Sequence, residues 1–224
     1  MLLTSASLPG TVIFFDDFDD NSNTGWSYLN RDGATEIADA VWAETGGRLE
    51  QQTPNYDFPR DIDNDPVLGA ISLAPVTVGG IYTVSADFTS LEPGNSFQDQ
   101  SFVFGYLDSD NFLIAETLPG SGVTGRINFY QVAGGNRTTI AVDSVGTYVE
   151  TSNPVVLEHD AGTGQVTVTY GAEAPVTVTD PAFVLAGTGS VGVGSNNDAF
   201  AIDNFTITQI PEPTTLGLLG LSAL

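Results

Sequence analysis

The feature that most constrains the fold is short-range alternation of apolar and polar residues, with no sustained helical period. In IYTVSADF one face carries Tyr82, Val84, Ala86 and Phe88, and QVTVTY repeats the pattern with Val166, Val168 and Tyr170. A period of two is typical of a strand that buries one face. The sequence therefore predicts an all-β protein.

The segment FVFGYL, residues 102–107, is apolar on both faces, as expected for a central strand of a two-layer sandwich. Turn signals at Gly79-Gly80, Gly134-Gly135-Asn136 and Asp160-Ala161-Gly162 separate the strands closely, which is typical of a sandwich or barrel. No linker-like stretch divides the middle of the 224-residue chain. We therefore predict one domain over residues 11–208.

The charge balance restricts the partners. The chain has 28 acidic residues, five arginines and no lysine, giving a net charge of −23. Phosphate recognition relies on clustered basic residues, so a nucleic-acid partner and docking on an anionic bilayer are disfavoured. Divalent cations and neutral or cationic surfaces suit the chain better than acidic partners. The alternative reading of this acidity is a solvated surface suited to salty water.

Residues that support thiol and zinc chemistry are scarce. The chain contains no cysteine and a single histidine, His159. Thiol catalysis, disulfides and Cys/His zinc sites are therefore excluded. His159 lies beside a turn in Glu158-His159-Asp160. We expect it to be a surface residue and not a general base.

Both ends of the chain carry segments that resemble targeting signals. Residues 1–10 include two leucines followed by Ser5-Ala6-Ser7, which resembles the tail of a secretion signal. An ordinary N-terminus that starts at Met1 is the alternative. At the other end, Pro211, Glu212 and Pro213 precede a Leu- and Gly-rich stretch.

This C-terminal segment resembles a PEP-CTERM sorting signal, which an exosortase processes. The apolar part is short and the basic tail of that signal is missing, so residues 209–224 are expected to be a truncated sorting tail. The resemblance implies export from a Gram-negative bacterium to the cell surface or extracellular matrix. Membrane contact is expected only through this tail.

Five segments follow one another in the order of a known fold. They are Phe14–Trp26, Val41–Gln52, Phe104–Ile114, Arg126–Ala141 and Gly189–Ile207. This order resembles the laminin-G-like, concanavalin-A-like jelly roll, a sandwich of two antiparallel sheets. The resemblance implies that the last strand lies beside the first. The fold hosts lectins, glycosidases, adhesins and spacers, so it does not fix the function.

One turn concentrates oxygen ligands. Asp16, Asp17, Asp19 and Asp20 crowd it, and Asp203 occupies the strand expected beside it. Carboxylate oxygens suit Ca²⁺, and the resemblance implies a structural Ca²⁺ where the terminal strands meet. The alternative is an Asx-rich turn whose side chains cap their own backbone.

Two further acidic stretches are weaker candidates. Asp61, Asp63 and Asp65 begin like a calcium loop, but Pro66 and Ser72 replace the glycine and the acid that an EF-hand requires. A looser calcium loop is the remaining interpretation. Residues 108–111, Asp-Ser-Asp-Asn, are expected to be a hairpin connection.

Catalytic signals are poor. Glu36, Asp39 and Glu44 are similar to the acidic strand of family 16 glycoside hydrolases, but residues 36 and 39 point to opposite faces of a strand unless a bulge intervenes. Residues 187–192 match Gly-x-Gly-x-x-Gly without a following helix, which indicates a glycine-rich strand entry. We therefore predict a protein that is not an enzyme.

The favoured function is an exported, non-catalytic domain that binds extracellular polysaccharide. Tyr56, Phe58, Arg60 and Asp61 lie in one loop and are the predicted ligand-facing residues. Trp26 and Trp42 are expected in the core. A glycan-cleaving enzyme and a structural surface protein without a ligand are the alternatives.

Overall fold

A computed structural model describes residues 9–20, 22, 24–30, 41–52, 70–91, 100–118, 125–145, 153–195 and 199–211. These residues form strands β1 (Thr11–Asp16), β2 (Ser27–Asn30), β3 (Trp42–Glu44), β4 (Leu49–Gln51), β5 (Ala70–Val78), β6 (Ile81–Ser90), β7 (Gln100–Asp108), β8 (Asn111–Leu118), β9 (Gly125–Ala133), β10 (Asn136–Val145), β11 (Asn153–Asp160), β12 (Gln165–Tyr170), β13 (Val176–Thr179), β14 (Gly189–Ser195) and β15 (Phe200–Ile210). A short 3₁₀ turn spans Pro181–Phe183. Within the same ranges no helix is long and apolar enough to cross a membrane.

The strands form two antiparallel sheets. The eight-stranded sheet has the order β13-β12-β11-β6-β15-β4-β3, with β1 also paired to β15, and the seven-stranded sheet has the order β10-β9-β8-β7-β14-β5-β2. The predicted all-β sandwich is therefore confirmed. The predicted central strand, β7, is the fourth of seven strands, and the first strand lies beside the last as expected.

The core lies between the sheets and follows the alternation seen in the sequence. Val84 and Phe88 of β6 and Val168 of β12 are all buried in it, as predicted. Aromatic rings join the two layers, because Phe88 packs edge-on against Phe102 of β7 at 5.1 Å between ring centroids. Burial of such side chains is the main favourable term in folding.

Glycines permit one close approach inside the seven-stranded sheet. Gly105 has a φ of +56°, and a Cβ placed on Gly189 would lie 2.7 Å from the Cα of Gly105. Neither position accepts a side chain without a backbone shift. The glycine-rich stretch 187–192 thus enters strand β14, as the sequence indicates.

The expectation that His159 is a surface residue is wrong. Its side chain is 0% exposed, and its Nδ1 and Nε2 lie 2.9 Å from the Tyr82 hydroxyl and 2.8 Å from the Phe183 carbonyl oxygen. Nε2 donates to the Phe183 carbonyl, and Nδ1 accepts from Tyr82. The period of two along β11 turns His159 inward together with Val155 and Leu157.

Candidate functional site

The seven-stranded sheet carries a second set of buried side chains on the side that faces away from the core. We call this side of the sheet the outer face. Its apolar members are Ile71, Leu73, Val103, Phe112, Ile114, Tyr130 and Val132. Its polar members are Ser101, Glu116, Arg126, Asn128 and Arg137, which the register places beside them. A sheet face that is apolar with a few placed polar groups is typical of a ligand site.

A row of polar residues crosses this face. Ser101 lies opposite Glu116, which lies opposite Asn128 on the next strand. The Glu116 Oε2 accepts from Asn128 Nδ2 at 2.8 Å and from the Tyr130 hydroxyl at 3.1 Å. Glu116, Asn128 and Tyr130 are only 4%, 7% and 8% exposed. Internal hydrogen bonds thus join Glu116 to Asn128 and Tyr130.

Two atoms of this row are buried without a partner. The Asn128 Oδ1 and the Ser101 Oγ find no hydrogen-bond partner among the described residues. An unsatisfied buried polar atom costs about 1–3 kcal/mol. Such atoms in a native fold call for an explanation, and a ligand that supplies the missing partner is one.

A cation is fixed beside the row. The guanidinium of Arg137 lies 4.7 Å from the centroid of the Tyr130 ring. Because the Tyr130 hydroxyl is bound to Glu116, the ring and the cation stacked on it have a defined position. The guanidinium covers one face of the Tyr130 ring.

The second candidate lies on the eight-stranded sheet, where β1 and β4 pair one after the other with the same edge of β15. Carboxylates gather at this junction. We call them the acidic corner: Asp16, Asp17, Asp19, Asp20, Glu44, Asp87 and Asp203. A bulge in β15 between Asp203 and Thr206, with Asn204 at a φ of +53°, bends the strand here.

Several of these carboxylates cap their own turn. The two oxygens of Asp16 accept from the backbone N–H of Phe18 at 2.9 Å and from Trp26 Nε1 at 2.8 Å. Asp17 accepts from the backbone of Asp19 at 3.3 Å, and Asp20 does so from Ser22 at 2.9 Å. The Asx-turn interpretation therefore describes their local hydrogen bonds.

The acidic corner also holds uncompensated negative charge. Burial and then the charges of Asp16 and Asp20 raise the pKa of Glu44. Both oxygens of Glu44 are shielded from solvent and lack a hydrogen-bond partner among the described residues.

Asp203 lies in the same field. Burial raises its pKa most, a hydrogen bond from the Asn204 backbone opposes this, and the charges of Asp87, Asp19 and Asp17 raise it further. The structure therefore brings the predicted residues Asp17, Asp19 and Asp203 into one electrostatic environment.

The donor atoms of the acidic corner suit a cation better than their arrangement does. All its donors are carboxylate oxygens, which Ca²⁺ prefers, and the orphaned oxygens of Glu44 would gain a partner from an ion. Among the described residues, however, no three Asp, Glu or His side chains are grouped so that they could hold one metal ion.

Most of the other predicted site residues lie outside the described residues. They are Tyr56, Phe58, Arg60, Asp61, Asp63 and Asp65, the pair Glu36 and Asp39, and the sorting residues Glu212 and Pro213. Pro211 is exposed directly after β15. Trp26 is in the core and Trp42 packs against it, as predicted.

Sequence reasoning also identified the hairpin connection at residues 108–111 correctly, since β7 ends at Asp108 and β8 begins at Asn111. It missed the polar row of the outer face. The signal was present, because Glu116 and Asn128 interrupt apolar strands at positions that alternate with core residues.

Comparison with known proteins supports the fold. No protein-family model and no curated protein matches the sequence. The CBM66 carbohydrate-binding module of Bacillus subtilis has a TM-score of 0.57 and 17% identity over 82% of this chain and 95% of its own. A Lotus tetragonolobus seed lectin has a TM-score of 0.56 and 12% identity over 91% and 100%.

A GH43 protein from Bacillus licheniformis is similar over 87% of this chain but only 39% of its own length, with a TM-score of 0.55 and 16% identity. At these identities the likeness shows the fold alone. The described residues therefore share the two-sheet jelly-roll fold of these proteins.

Proposed function

We propose that the protein is a non-catalytic carbohydrate-binding domain whose binding surface is the outer face of the seven-stranded sheet. The observation that carries this proposal is the row Ser101–Glu116–Asn128. Two of its buried polar atoms lack hydrogen-bond partners among the described residues, and they lie beside the hydrogen-bonded carboxylate of Glu116. Sugar hydroxyls both donate and accept, so one ligand hydroxyl can satisfy each orphaned atom.

Similar structures add support from outside the chain. The carbohydrate-binding module and the lectin are matched along nearly their whole length, whereas the GH43 protein is matched over a minor part. Together with the PEP-CTERM-like tail, this favours an exported domain at the surface or in the extracellular matrix of a Gram-negative bacterium, processed by an exosortase. Extracellular polysaccharide is the proposed partner.

A binding assay tests the proposal. The full chain is screened against a glycan array, and hits are quantified by calorimetry for the wild type, Ser101→Ala and Asn128→Ala. Each variant is expected to lose about fivefold or more in affinity, because a hydrogen bond to a ligand contributes roughly 1 kcal/mol or more.

The matched control is Ser85→Ala, which removes the same hydroxyl from the opposite face of the sandwich and leaves affinity unchanged. Thermal unfolding verifies that the variants fold. Absence of any glycan hit, or equal losses in Ser85→Ala and Ser101→Ala, would sink the proposal and favour a structural surface domain.

We propose in addition that the acidic corner takes one structural Ca²⁺. The raised pKa values of Glu44 and Asp203 support this, because a cation would relieve the repulsion that causes them. Since no three carboxylates are grouped around one point, backbone carbonyls and water would complete the shell, which Ca²⁺ accepts.

Thermal unfolding in EDTA, Ca²⁺ and Mg²⁺ tests this site. A rise in the midpoint specific to Ca²⁺ is expected, and the double variant Asp17→Ala, Asp203→Ala should lose it. An equal response to both ions would indicate charge screening only, and an unchanged Ca²⁺ shift in the double variant would place the ion elsewhere.

A further inference from the structure

The described arginines are distributed unevenly. Arg48 pairs with Glu50 at 3.1 Å on the eight-stranded sheet. Arg126 and Arg137 make no ion pair within the described part of the chain, and both lie on the outer face. In a chain with 28 acidic residues, unpaired arginines gathered on one surface require a reason.

Register places these two cations on either side of Asn128, at one end of the polar row. Arg126, Asn128 and Tyr130 follow one another on the same side of β9, about 7 Å apart. Arg137, on β10, lies opposite Val132 of β9 and stacks on the Tyr130 ring. A ligand bound to the orphaned oxygen of Asn128 therefore lies between two positive charges.

The Arg137 side chain is preorganised to bind an anion. Its guanidinium is held over a ring that Glu116 fixes, so less side-chain freedom is lost when a ligand binds. A planar guanidinium binds carboxylate and sulfate oxygens through two parallel hydrogen bonds. Glu116, the acid of the polar row, already accepts hydrogen bonds from Asn128 and Tyr130.

The net charge of −23 does not prevent this contact. At physiological ionic strength the Debye length is about 8 Å, so carboxylates on the far side of the sandwich are largely screened at the outer face. A direct contact between a guanidinium and a ligand anion is shorter than this length and keeps most of its strength.

We propose that the glycan bound at the outer face is anionic, with a carboxylate or sulfate group that Arg137 holds. This inference rests on the proposed function and specifies its ligand class. Arg126 extends the positive surface along β9 toward the next residue of an acidic polysaccharide.

The test uses two pairs of polymers that share a backbone and differ in the number of charged groups. Calorimetry compares polygalacturonate with its methyl ester, and chondroitin sulfate with chondroitin, for the full chain and for Arg137→Gln, Arg137→Lys and Arg48→Gln. We expect one charged polymer to bind at least about tenfold more tightly than its less charged partner. Arg137→Gln should remove most of that preference, Arg137→Lys should keep part of it, and Arg48→Gln should leave it unchanged.

The outcomes separate the two proposals. A preference for the carboxylate or for the sulfate polymer that depends on Arg137 supports the inference and identifies the anion. Equal affinity for the two members of both polymer pairs, or an equal loss in Arg48→Gln and Arg137→Gln, overturns the anionic ligand and leaves carbohydrate binding intact. If no polymer and no array glycan binds, the proposed function itself fails.

Discussion

Glu116 and Glu44 are both shielded carboxylates, yet their surroundings differ in kind. Glu116 receives two side-chain hydrogen bonds on the outer face, whereas Glu44 at the acidic corner has no hydrogen-bond partner among the described residues and faces other acids. A buried charge is stable only when its hydrogen bonds are made. A glutamate therefore stabilises the outer face and destabilises the acidic corner.

The comparison is tested most strongly by Glu116→Ala. This change leaves Asn128 Nδ2 and the Tyr130 hydroxyl buried without their acceptor, so we expect a loss of about 3 kcal/mol in the free energy of unfolding. Chemical denaturation measures it. Glu116→Gln keeps an acceptor oxygen and should lose less.

The matched control is Glu158→Ala, at an exposed position of the other sheet, where a change within about 0.5 kcal/mol is expected. If Glu116→Ala is no more harmful than Glu158→Ala, the network on the outer face does not stabilise the fold.

His159 sharpens the comparison, because it is a satisfied polar group that protonation would disturb. Burial lowers its pKa below the ordinary value of 6.5, although the Phe183 carbonyl and Asp160 oppose the shift. The unfolded chain then takes up a proton more readily than the folded one. Stability is full above about pH 6.5 and falls as the pH drops below it.

Each unit of pKa difference corresponds to about 1.4 kcal/mol. Since the chain has one histidine, its imidazole resonances in an NMR titration report the folded value directly. A titration midpoint at or above 6.5 would contradict the buried neutral state.

The smallest expected effect is a gain in stability and not a loss. Glu44→Gln removes a charge that Asp16 and Asp20 repel, so the free energy of unfolding at pH 7 should rise by roughly 0.5–1 kcal/mol. Because the folded pKa of Glu44 is raised, the wild type gains stability as the pH falls through that value. The advantage of the variant should therefore vanish below about pH 4, where Glu44 is neutral.

Thermal or chemical unfolding at both pH values measures this difference, with Glu158→Gln as the control for net charge. Destabilisation by Glu44→Gln at pH 7 would mean that the carboxylate has a favourable partner. A bound cation is one, so the measurement is made in EDTA.

The sequence was sufficient for the sandwich because alternation is a local property. The inward faces of β6 and β12 follow from it directly, and so does the central position of β7. The same rule places His159 inward, but its polarity and the adjacent turn favoured the surface. A strand pattern was the stronger signal.

The candidate site depends on register, which alternation does not specify. Glu116 lies opposite Asn128 only through the pairing of β8 with β9, and the apolar strands gave no sign of which polar residues would meet. The nearness of Asp203 to Asp17 and Asp19 was expected from the family resemblance. The addition of Glu44 was not, because it depends on β4 and β1 sharing one edge of β15.

That shared edge has a kinetic consequence. Strand β15, at residues 200–210, supplies the partner for β1, β4 and β6, all of which lie more than 100 residues earlier in the chain. Folds dominated by such distant pairings fold slowly, in about milliseconds to seconds. The eight-stranded sheet cannot close around its middle until residue 210 is free to pair, so folding must follow synthesis of nearly the whole described chain.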